Sequence, residues 1–391
     1  MWQRLDVKKN TDSNPLPRNR YYIYMRWHKS PLPWNIFEAP PCELGLAAYL
    51  SKVLQEMEKR LQLENLIFYI TWDDVNELPT YGDNVVVIVL GDEWYRIPKY
   101  VNKVGAIFKC IGTGAILGCN PIYKPSHLNL LTLIQYLRIL LVGIPGFLNY
   151  YLHQIKDIFT GQNSIAPIYD IPLGYANSQE LSIKPIEKRT FDAYFSGSIT
   201  HIDYPKWSIK RLISTPKMLA RQTMVSKLSS IKINNPQLNI ELAITGNFFS
   251  SFNAQAVSNQ AEQPEIRSYS EAMMNTKICL VPRGSSFETT RLFEAMRYGC
   301  IVITEALPSR WYLDGAPIIQ IRDWDELEKV IENLYAKPQL MQELHQESLK
   351  WWESKCCEAI VGGYFANNLN AKHRTSLLKF SPILSRQVSQ A

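Results

Sequence analysis

The chain has 391 residues, of which 46% are hydrophobic and 20% are charged, and its formal net charge at pH 7 is +6. This length favours two domains over a single core, and the composition excludes a largely disordered chain. The positive charge is spread along the sequence without a Lys/Arg-rich run, which argues against a nucleic-acid partner.

The first half of the chain alternates between predicted strands and helices. Its strands are continuously apolar or aromatic, and its helices carry apolar residues at helical spacing. The predicted strands are 21–27, 66–72, 84–90 and 104–111, and the predicted helices are 44–61 and 128–142. Continuously apolar strands between helices are typical of a parallel sheet covered on both faces. We therefore predict an α/β, Rossmann-like domain over residues 19–175.

The same alternation starts again after a polar, proline-containing linker at 176–189. The predicted strands are 191–195, 238–245, 277–281, 300–304 and 317–321, and the predicted helices are 217–230, 268–275, 289–298 and 323–335. This pattern predicts a second Rossmann-like domain over 188–339 that faces the first, with ligands at the carboxyl ends of the strands. We expect the helical segment 340–371 to pack back on the first domain. The polar ends, 1–18 and 372–391, are expected to be flexible.

The segment 128–148 is the most apolar part of the chain and is long enough to cross a bilayer. Gln135 and Arg138 lie within it, and the Gly-Ile-Pro-Gly sequence at 143–146 is expected to end the helix. A central arginine is costly in lipid, so a buried or interfacial helix of the fold is the favoured interpretation. Peripheral contact with a membrane surface and a transmembrane span stay open as alternatives.

A small polar loop follows the predicted strand 277–281 and leads into a helix. Free N–H groups and the positive end of the dipole at the start of a helix suit a pyrophosphate. Gly284 allows close approach of a phosphate, and Arg283 and Arg291 can neutralise its charge. Glu294 lies three residues after Arg291 on the same helix face, where a carboxylate can accept hydrogen bonds from ribose hydroxyls. The residues alone also permit a capped helix with a surface Arg–Glu pair.

One motif in this region resembles a known family. The sequence has Pro, then Gly two residues later, then Arg-x-x-Glu-Ala, and then Gly-Cys before an apolar strand. This pattern is similar to that of the exostosin-like glycosyltransferases, glycosyltransferase family 47 and its relatives. It is carried by Pro282, Gly284, Arg291, Glu294, Ala295, Gly299 and Cys300, with shorter similarities at 172–175, 195–198 and 351–354. The resemblance covers the second half of the chain well and the first half barely.

The resemblance implies a GT-B fold, in which the second domain binds a nucleotide-sugar donor and the first binds the acceptor. It implies transfer of the sugar, with inversion, to a glycan or lipid-linked acceptor, and contact between Glu294 and the donor ribose. The predicted donor-binding residues are Gly197, Ser198, Arg283, Gly284, Ser285, Ser286, Glu288, Thr289, Thr290, Arg291 and Glu294.

Two positions depart from the family pattern. The family often has a glutamate eight residues before Glu294, where this chain has Ser286, and a proline where this chain has Thr290. Glu288 is a candidate substitute for the missing glutamate, from a different place. The departure at Ser286 keeps open a catalytically inactive nucleotide- or glycan-binding protein of the same fold. A two-domain nucleotide-sugar epimerase is a further alternative.

Inverting transfer needs a base that deprotonates the acceptor hydroxyl, and the first domain should supply it. Three predicted strands there end at titratable side chains. His28 follows the first strand, Asp73-Asp74 follows the second, and Asp92-Glu93 follows the third. The candidate bases are therefore Asp92, Asp73 and His28, although each is also an ordinary turn position.

Asp323-Trp-Asp325 superficially looks like the Asp-x-Asp metal motif of glycosyltransferases with the other common fold. Asp323 followed by Glu326 is, however, a capping-box pattern at the start of a helix. We predict a helix cap and no obligatory metal or other cofactor, the nucleotide sugar being a substrate.

The cysteines and the N-terminus indicate the compartment. Seven cysteines, an odd number without a Cys-x-x-Cys pair, indicate reduced thiols rather than a disulfide framework or a zinc site. The charged N-terminus lacks the apolar core of a secretory signal. We expect a cytoplasmic protein that is open to association with a membrane.

Overall fold

The structure is a computed structural model that describes residues 17–161, 164–177, 179–199, 215–245 and 264–380. The flexible ends predicted at 1–18 and 372–391 therefore lie largely outside the described residues. Within the described ranges the chain forms two α/β units, each built on its own sheet.

The first sheet has six strands in the order β2-β1-β3-β4-β5-β6, and all of its pairs are parallel except β1 with β2. The strands are β1 (Arg20–Ile23), β2 (Leu32–Pro33), β3 (Ile67–Thr71), β4 (Gly82–Val89), β5 (Val104–Lys109) and β6 (Ile168–Asp170). The central strands are apolar because both of their faces are buried. Pro33 lies on the edge strand β2, where a proline costs no ladder hydrogen bond.

The second sheet has five strands in the order β11-β10-β9-β7-β8, and every pair is parallel. The strands are β7 (Phe191–Ser198), β8 (Ile240–Thr245), β9 (Thr276–Val281), β10 (Ile301–Thr304) and β11 (Ile319–Gln320). Because the strands are parallel, the carboxyl ends of β7 and β9 meet at one edge of the sheet, where ligands of such sheets bind.

Eight α-helices are found in the described residues. They are α1 (Ala47–Arg60), α2 (His127–Thr160), α3 (Pro216–Asn234), α4 (Pro264–Met274), α5 (Thr290–Arg297), α6 (Leu327–Tyr335), α7 (Pro338–Trp351) and α8 (Glu358–Phe380). Gly299 follows α5 with a φ of 70°, the left-handed conformation that ends helices and that glycine adopts without strain.

The last helix returns to the first unit, as predicted. α8 packs along α1, and the Phe365 ring stacks on Phe108 of β5 with 3.9 Å between centroids. A Cβ added to Gly362 would lie 2.7 Å from the carbonyl oxygen of Val53, so only glycine permits this approach of the two backbones. The predicted arrangement, two Rossmann-like α/β units with a C-terminal helix packed on the first, is confirmed.

Helix α2 is longer than predicted. The expected stop at 143–146 is wrong, because the helix continues through Pro145 to Thr160 and ends at Gly161 in the left-handed conformation. Gly146 lies where the helix approaches the body of the protein, since a Cβ there would lie 3.0 Å from the carbonyl oxygen of Ile97. Small residues are needed for this close packing, and the packing holds the helix together across the proline.

Candidate functional site

The candidate site lies where the loop after β9 leads into α5. Thr289 precedes the helix in an extended conformation, but its side chain makes no capping hydrogen bond. Its Oγ1 atom and the Nε atom of Arg291 are both buried and have no hydrogen-bond partner. Buried polar atoms are nearly always paired in native proteins, so two unpaired ones at a helix N-terminus indicate a place for a polar ligand.

Three cationic side chains gather at this place. Lys217 and Arg221 lie in the first turns of α3, and Arg291 lies in the first turn of α5. Burial and the charge of Arg291 lower the pKa of Arg221 to about 10. Burial, followed by the charges of Arg221 and Arg291, also lowers the pKa of Lys217. These three residues, the cation cluster, repel one another, and a bound anion would relieve that repulsion.

The ends of β7 and β9 hold the cation cluster in place. The Arg221 guanidinium donates to the carbonyl oxygen of Ser198 at 2.8 Å and to that of Arg283 at 3.3 Å. The Arg291 guanidinium lies 4.8 Å from the centre of the Phe195 ring, and a Cβ on Gly197 would lie 2.5 Å from its Nη2 atom. The structure thus brings together Gly197, Ser198 and Arg291 of the predicted donor-binding residues.

Two predicted donor-binding residues, Arg283 and Glu288, form ion pairs with other side chains of the protein. Arg283 is buried and donates to the Glu305 carboxylate at 2.9 Å and to Thr132 of α2 at 3.0 Å. Glu288 is buried between Arg310, at 3.2 Å, and the Tyr312 hydroxyl, at 2.6 Å. Glu288 therefore does not point into the cation cluster as a substitute for the glutamate missing at Ser286.

The other predicted donor-binding residues lie in the loop after β9 and at the start of α5. The Ser286 hydroxyl donates to the carbonyl oxygen of Glu288 at 2.7 Å, and the Ser285 carbonyl oxygen accepts from Gln135 of α2 at 3.4 Å. A Cβ added to Gly284 would make only ordinary van der Waals contacts, the nearest at 3.5 Å. Thr290 is the first residue of α5.

The carboxylate of Glu294 fastens the start of the linker to the second unit. Its Oε1 atom accepts from the backbone N–H groups of Ala176 and Asn177, at 3.0 and 3.2 Å, and its Oε2 atom accepts from the Tyr269 hydroxyl at 2.9 Å. The side chain is buried. Each carboxylate oxygen has two lone pairs, so Oε2 can accept one more hydrogen bond.

In the first unit, Asp92 is enclosed by cations. Its carboxylate lies 3.0 Å from Lys109 Nζ and 2.9 Å from Arg96 Nη2, and the side chains of Asp92 and Lys109 are inaccessible to solvent. Burial by itself raises the pKa of Asp92, but Lys109 and Arg96 together outweigh it and lower that pKa. This environment favours a structural role for Asp92 over that of a base.

The other predicted bases are also engaged. Asp73 pairs with Arg26 at 3.1 Å, and the Nδ1 atom of His28 accepts from the backbone N–H of Met25 at 3.3 Å. The neighbouring Asp74 is buried, its Oδ1 atom has no partner, and burial raises its pKa to about 6.

Glu93, next to Asp92 in the chain, is exposed at the end of β4. Its negative charge raises the pKa values of Lys217 and Arg221, opposing the larger lowering by burial and by the other cations. Glu93 is therefore a carboxylate of the first unit whose charge influences two cations of the cluster. The sequence places Glu93 directly after Asp92, but it does not show that Asp92 is buried and Glu93 exposed.

The two units are also joined through Arg310. Its guanidinium lies 2.9 Å from Asp170 of β6 and 3.2 Å from Glu288, and it donates to the carbonyl oxygen of Ile111. The neighbouring Trp311 donates from its indole N–H to the carbonyl oxygen of Asp170 at 2.8 Å. These contacts connect the second unit to Ile111 and Asp170 of the first.

Asp323-Trp-Asp325 forms a helix cap. The Asp323 carboxylate accepts from the backbone N–H of Asp325 at 3.1 Å and pairs with Lys124, and Asp325 pairs with Lys227. Within the part of the chain that the structure describes, no group of three His, Cys, Asp or Glu side chains is placed to hold a metal ion.

Residues 238–356 match the model of a family described as RXYLT1 C-terminal domain, which is an exostosin-like xylosyltransferase family. The matched segment runs from β8 past α7 and contains the loop and helix of the candidate site. It supports the resemblance to exostosin-like enzymes over those residues and leaves membership of glycosyltransferase family 47 a prediction. No curated protein matches the chain significantly.

Several solved structures are similar to the chain. The GtfA/B complex has 15% identity and a TM-score of 0.38, over 75% of this chain and 58% of that one. The pneumococcal O-GlcNAc transferase GtfA, in complex with UDP and GlcNAc, has 12% identity and a TM-score of 0.36, over 75% and 57%. Sucrose-phosphate synthase from Thermosynechococcus elongatus has 8% identity and a TM-score of 0.38, over 86% and 94%. The chain thus spans less than three fifths of the first two proteins, and likenesses this distant carry no inference about substrates.

Proposed function

We propose that the protein is a glycosyltransferase that takes its sugar from a nucleoside-diphosphate sugar. One observation carries the proposal. The cation cluster of Lys217, Arg221 and Arg291 lies beside the uncapped start of α5, with Thr289 Oγ1 and Arg291 Nε buried and unpaired. A diphosphate would bring negative charge to the three cations and acceptor oxygens to the two unpaired atoms. The match to the RXYLT1 C-terminal domain family over the same loop and helix supports the proposal.

The cation cluster would act on the leaving group. Breaking the bond between sugar and phosphate builds negative charge on the nucleoside diphosphate, and fixed cations in a partly buried site stabilise that charge. Three cations and a helix N-terminus can supply this stabilisation, so we retain the prediction that no metal is obligatory. The free lone pair of Glu294 Oε2 can accept from a ribose hydroxyl of the donor, in the role that the resemblance implies for this residue.

We propose Glu93 as the base. It is the exposed carboxylate of the first unit whose charge reaches the cation cluster, whereas the candidates Asp92, Asp73 and His28 are engaged by neighbouring groups. In this mechanism Glu93 accepts the proton of the acceptor hydroxyl while that oxygen attacks the anomeric carbon, and the nucleoside diphosphate leaves from the opposite face. This single displacement gives inversion, and the acceptor is a glycan or a lipid-linked sugar.

Thermal unfolding with added ligands tests the donor site. A nucleoside diphosphate at about a hundred times its dissociation constant should stabilise the protein by roughly 2.7 kcal/mol, whereas the parent nucleoside should have little effect. Lys217→Met should weaken the response, because it removes one cation of the cluster. Lys227→Met, an exposed position on the same helix, is the matched control and should respond like the wild type. If no nucleoside diphosphate raises the melting temperature of the wild type, the proposal is wrong.

A binding protein without turnover is the second candidate. It is favoured by Ser286, which stands where the family often has a glutamate, and by the engagement of Glu288 with Arg310 and Tyr312. It predicts the same melting response to nucleoside diphosphates. Incubation with nucleotide sugars and a panel of acceptors distinguishes the two candidates, because a binding protein releases no nucleoside diphosphate.

A further inference from the structure

Helix α2 has a broad apolar face that no other described part of the chain covers. The exposed apolar residues recur every three or four positions along the helix. They are Leu130, Ile134, Leu137, Leu141, Ile144, Leu148, Leu152, Ile155 and Phe159, together called the α2 stripe. Leu141, Leu148 and Ile155 are 67%, 59% and 51% exposed. Exposed apolar surface of this extent in a folded protein marks an interaction site.

The opposite side of α2 is fastened to the body of the protein along most of its length. Thr132 accepts from Arg283 at 3.0 Å, and Gln135 donates to the carbonyl oxygen of Ser285 at 3.4 Å. Gly146 approaches the backbone of Ile97, and His153 lies 3.1 Å from Asn102. The helix is long and apolar enough to span a bilayer, but these contacts hold it flat against both units. The α2 stripe therefore faces away from the body of the protein.

The width of the stripe distinguishes a bilayer from a helical partner. At 100° per residue, Leu140, Leu141 and Val142 alone spread the exposed apolar side chains over an arc of about 200°. A seam for one partner helix needs only two positions in seven. No charged residue interrupts α2 between Arg138 and Lys156, so the apolar surface is continuous over that length. Between these two residues the arc is wide and carries no charge, which fits the acyl region of a lipid surface.

The charges around the stripe fit anionic headgroups. Arg138 and Lys156 lie on the same flank of the stripe, about 60° from its centre. The contact of Asn102 with His153 brings the exposed Lys103 close to the last third of the helix. Asp157 is the only acidic residue of α2, and its carboxylate accepts from Ser164. Tyr151 beside the stripe suits the interface between acyl chains and headgroups, and Phe159 adds an aromatic ring to the stripe itself.

We infer that the α2 stripe docks the protein on the surface of an anionic lipid bilayer, with the helix lying in the plane of the interface. Gln135 and Thr132 of the same helix contact the loop that carries the candidate donor site. The candidate donor site therefore lies beside the docked surface, and, if the proposed function holds, an acceptor carried on a lipid would reach it from the membrane.

Flotation of the full chain with vesicles tests the docking. The wild type should float with vesicles of phosphatidylcholine mixed equally with phosphatidylglycerol, and less with phosphatidylcholine alone. Leu141→Glu with Leu148→Glu should lower the bound fraction about tenfold or more, because two charges would enter the apolar interface. Ile183→Glu with Ile360→Glu, two exposed apolar positions outside α2, is the matched control and should float like the wild type.

Three results would overturn the docking. The first is a wild type that stays unbound, or that floats no better than the doubly charged variant. The second is a soluble dimer that the doubly charged variant converts to a monomer, without vesicle binding by either. The third is a vesicle-bound protein that resists extraction by alkaline carbonate, which would indicate a spanning helix. The melting response to nucleoside diphosphates should persist in the doubly charged variant, so failure of the docking and failure of the proposed function are separable.

Discussion

At the scale of single residues, adjacent acidic side chains in the first unit have opposite environments. Asp92 is buried between Lys109 and Arg96, whereas Glu93 is exposed and acts electrostatically on the cation cluster. A buried carboxylate held by two cations is a structural group, because its removal leaves those cations unpaired. The exposed Glu93 is not held between two buried cations in this way.

This contrast predicts opposite outcomes for two neutral substitutions. Glu93→Gln should lower kcat about a hundredfold or more with little change in stability, because it removes the proposed base from an exposed position. Asp92→Asn should cost about 3–5 kcal/mol of unfolding free energy, because the buried Lys109 loses its partner. Steady-state kinetics and urea unfolding measure the two effects. A fully active Glu93→Gln enzyme would return the role of base to the other candidates.

Single residues also show where prediction from sequence stopped. Arg291 was recognised because it belongs to a spaced motif, whereas Lys217 and Arg221 were missed. They form an i, i+4 basic pair just after Pro216, at the start of a helix, and this signal was available. The ion pairs of Glu288 with Arg310 and of Arg283 with Glu305 could not be predicted from the sequence, because the partners lie 22 residues away.

At the scale of elements, the packing of α8 on α1 depends on one glycine. Gly362→Ala would place a Cβ within 2.7 Å of the Val53 carbonyl oxygen, a backbone atom that cannot move aside cheaply. We expect a loss of about 2 kcal/mol or more in the free energy of unfolding, because the two helices must separate.

The neighbouring glycine provides the control. A Cβ on Gly363 would meet only the end of the flexible Arg60 side chain. Gly363→Ala should therefore be neutral or stabilising by up to about 1 kcal/mol, since alanine is the better helix former. Urea unfolding of the two variants side by side measures the difference, and equal effects would contradict the packing argument.

Most elements were predictable because apolar runs and helical spacing are local signals. The strands β3, β4, β5 and β9 were found within a few residues of their observed ends. Helix α2 was cut short because Pro145 and its glycines are helix breakers in isolation. The packing that overrides them, such as the approach of Gly146 to Ile97, is tertiary and leaves no trace in local sequence.

At the scale of the whole molecule, Arg310 of the second unit holds the two units together. Its removal by Arg310→Met would leave Glu288 buried without a cation, and burial already raises the pKa of that carboxyl. We expect a loss of about 3–5 kcal/mol and a broader or two-step urea transition, because the units would be less tightly coupled.

Two further variants sharpen this test. Arg310→Lys should restore little, because a single ammonium cannot reproduce the fork that reaches Asp170, Glu288 and the Ile111 carbonyl. Arg322→Met, at an exposed position, should leave the transition unchanged. A cooperative, undiminished transition for Arg310→Met would show that this bridge is dispensable.

The return of α8 to the first unit also affects how the protein is made. On the ribosome, the strands and α1 of the first unit emerge long before Glu358–Phe380, so the surface of α1 that α8 covers stays bare throughout synthesis of the second unit. The strands of the second unit, β7 to β11, form one uninterrupted stretch of sequence and can assemble as they emerge. Because synthesis proceeds from the N-terminus, the second unit is complete before the first. Until then the exposed surface of α1 is available to a chaperone that binds nascent chains.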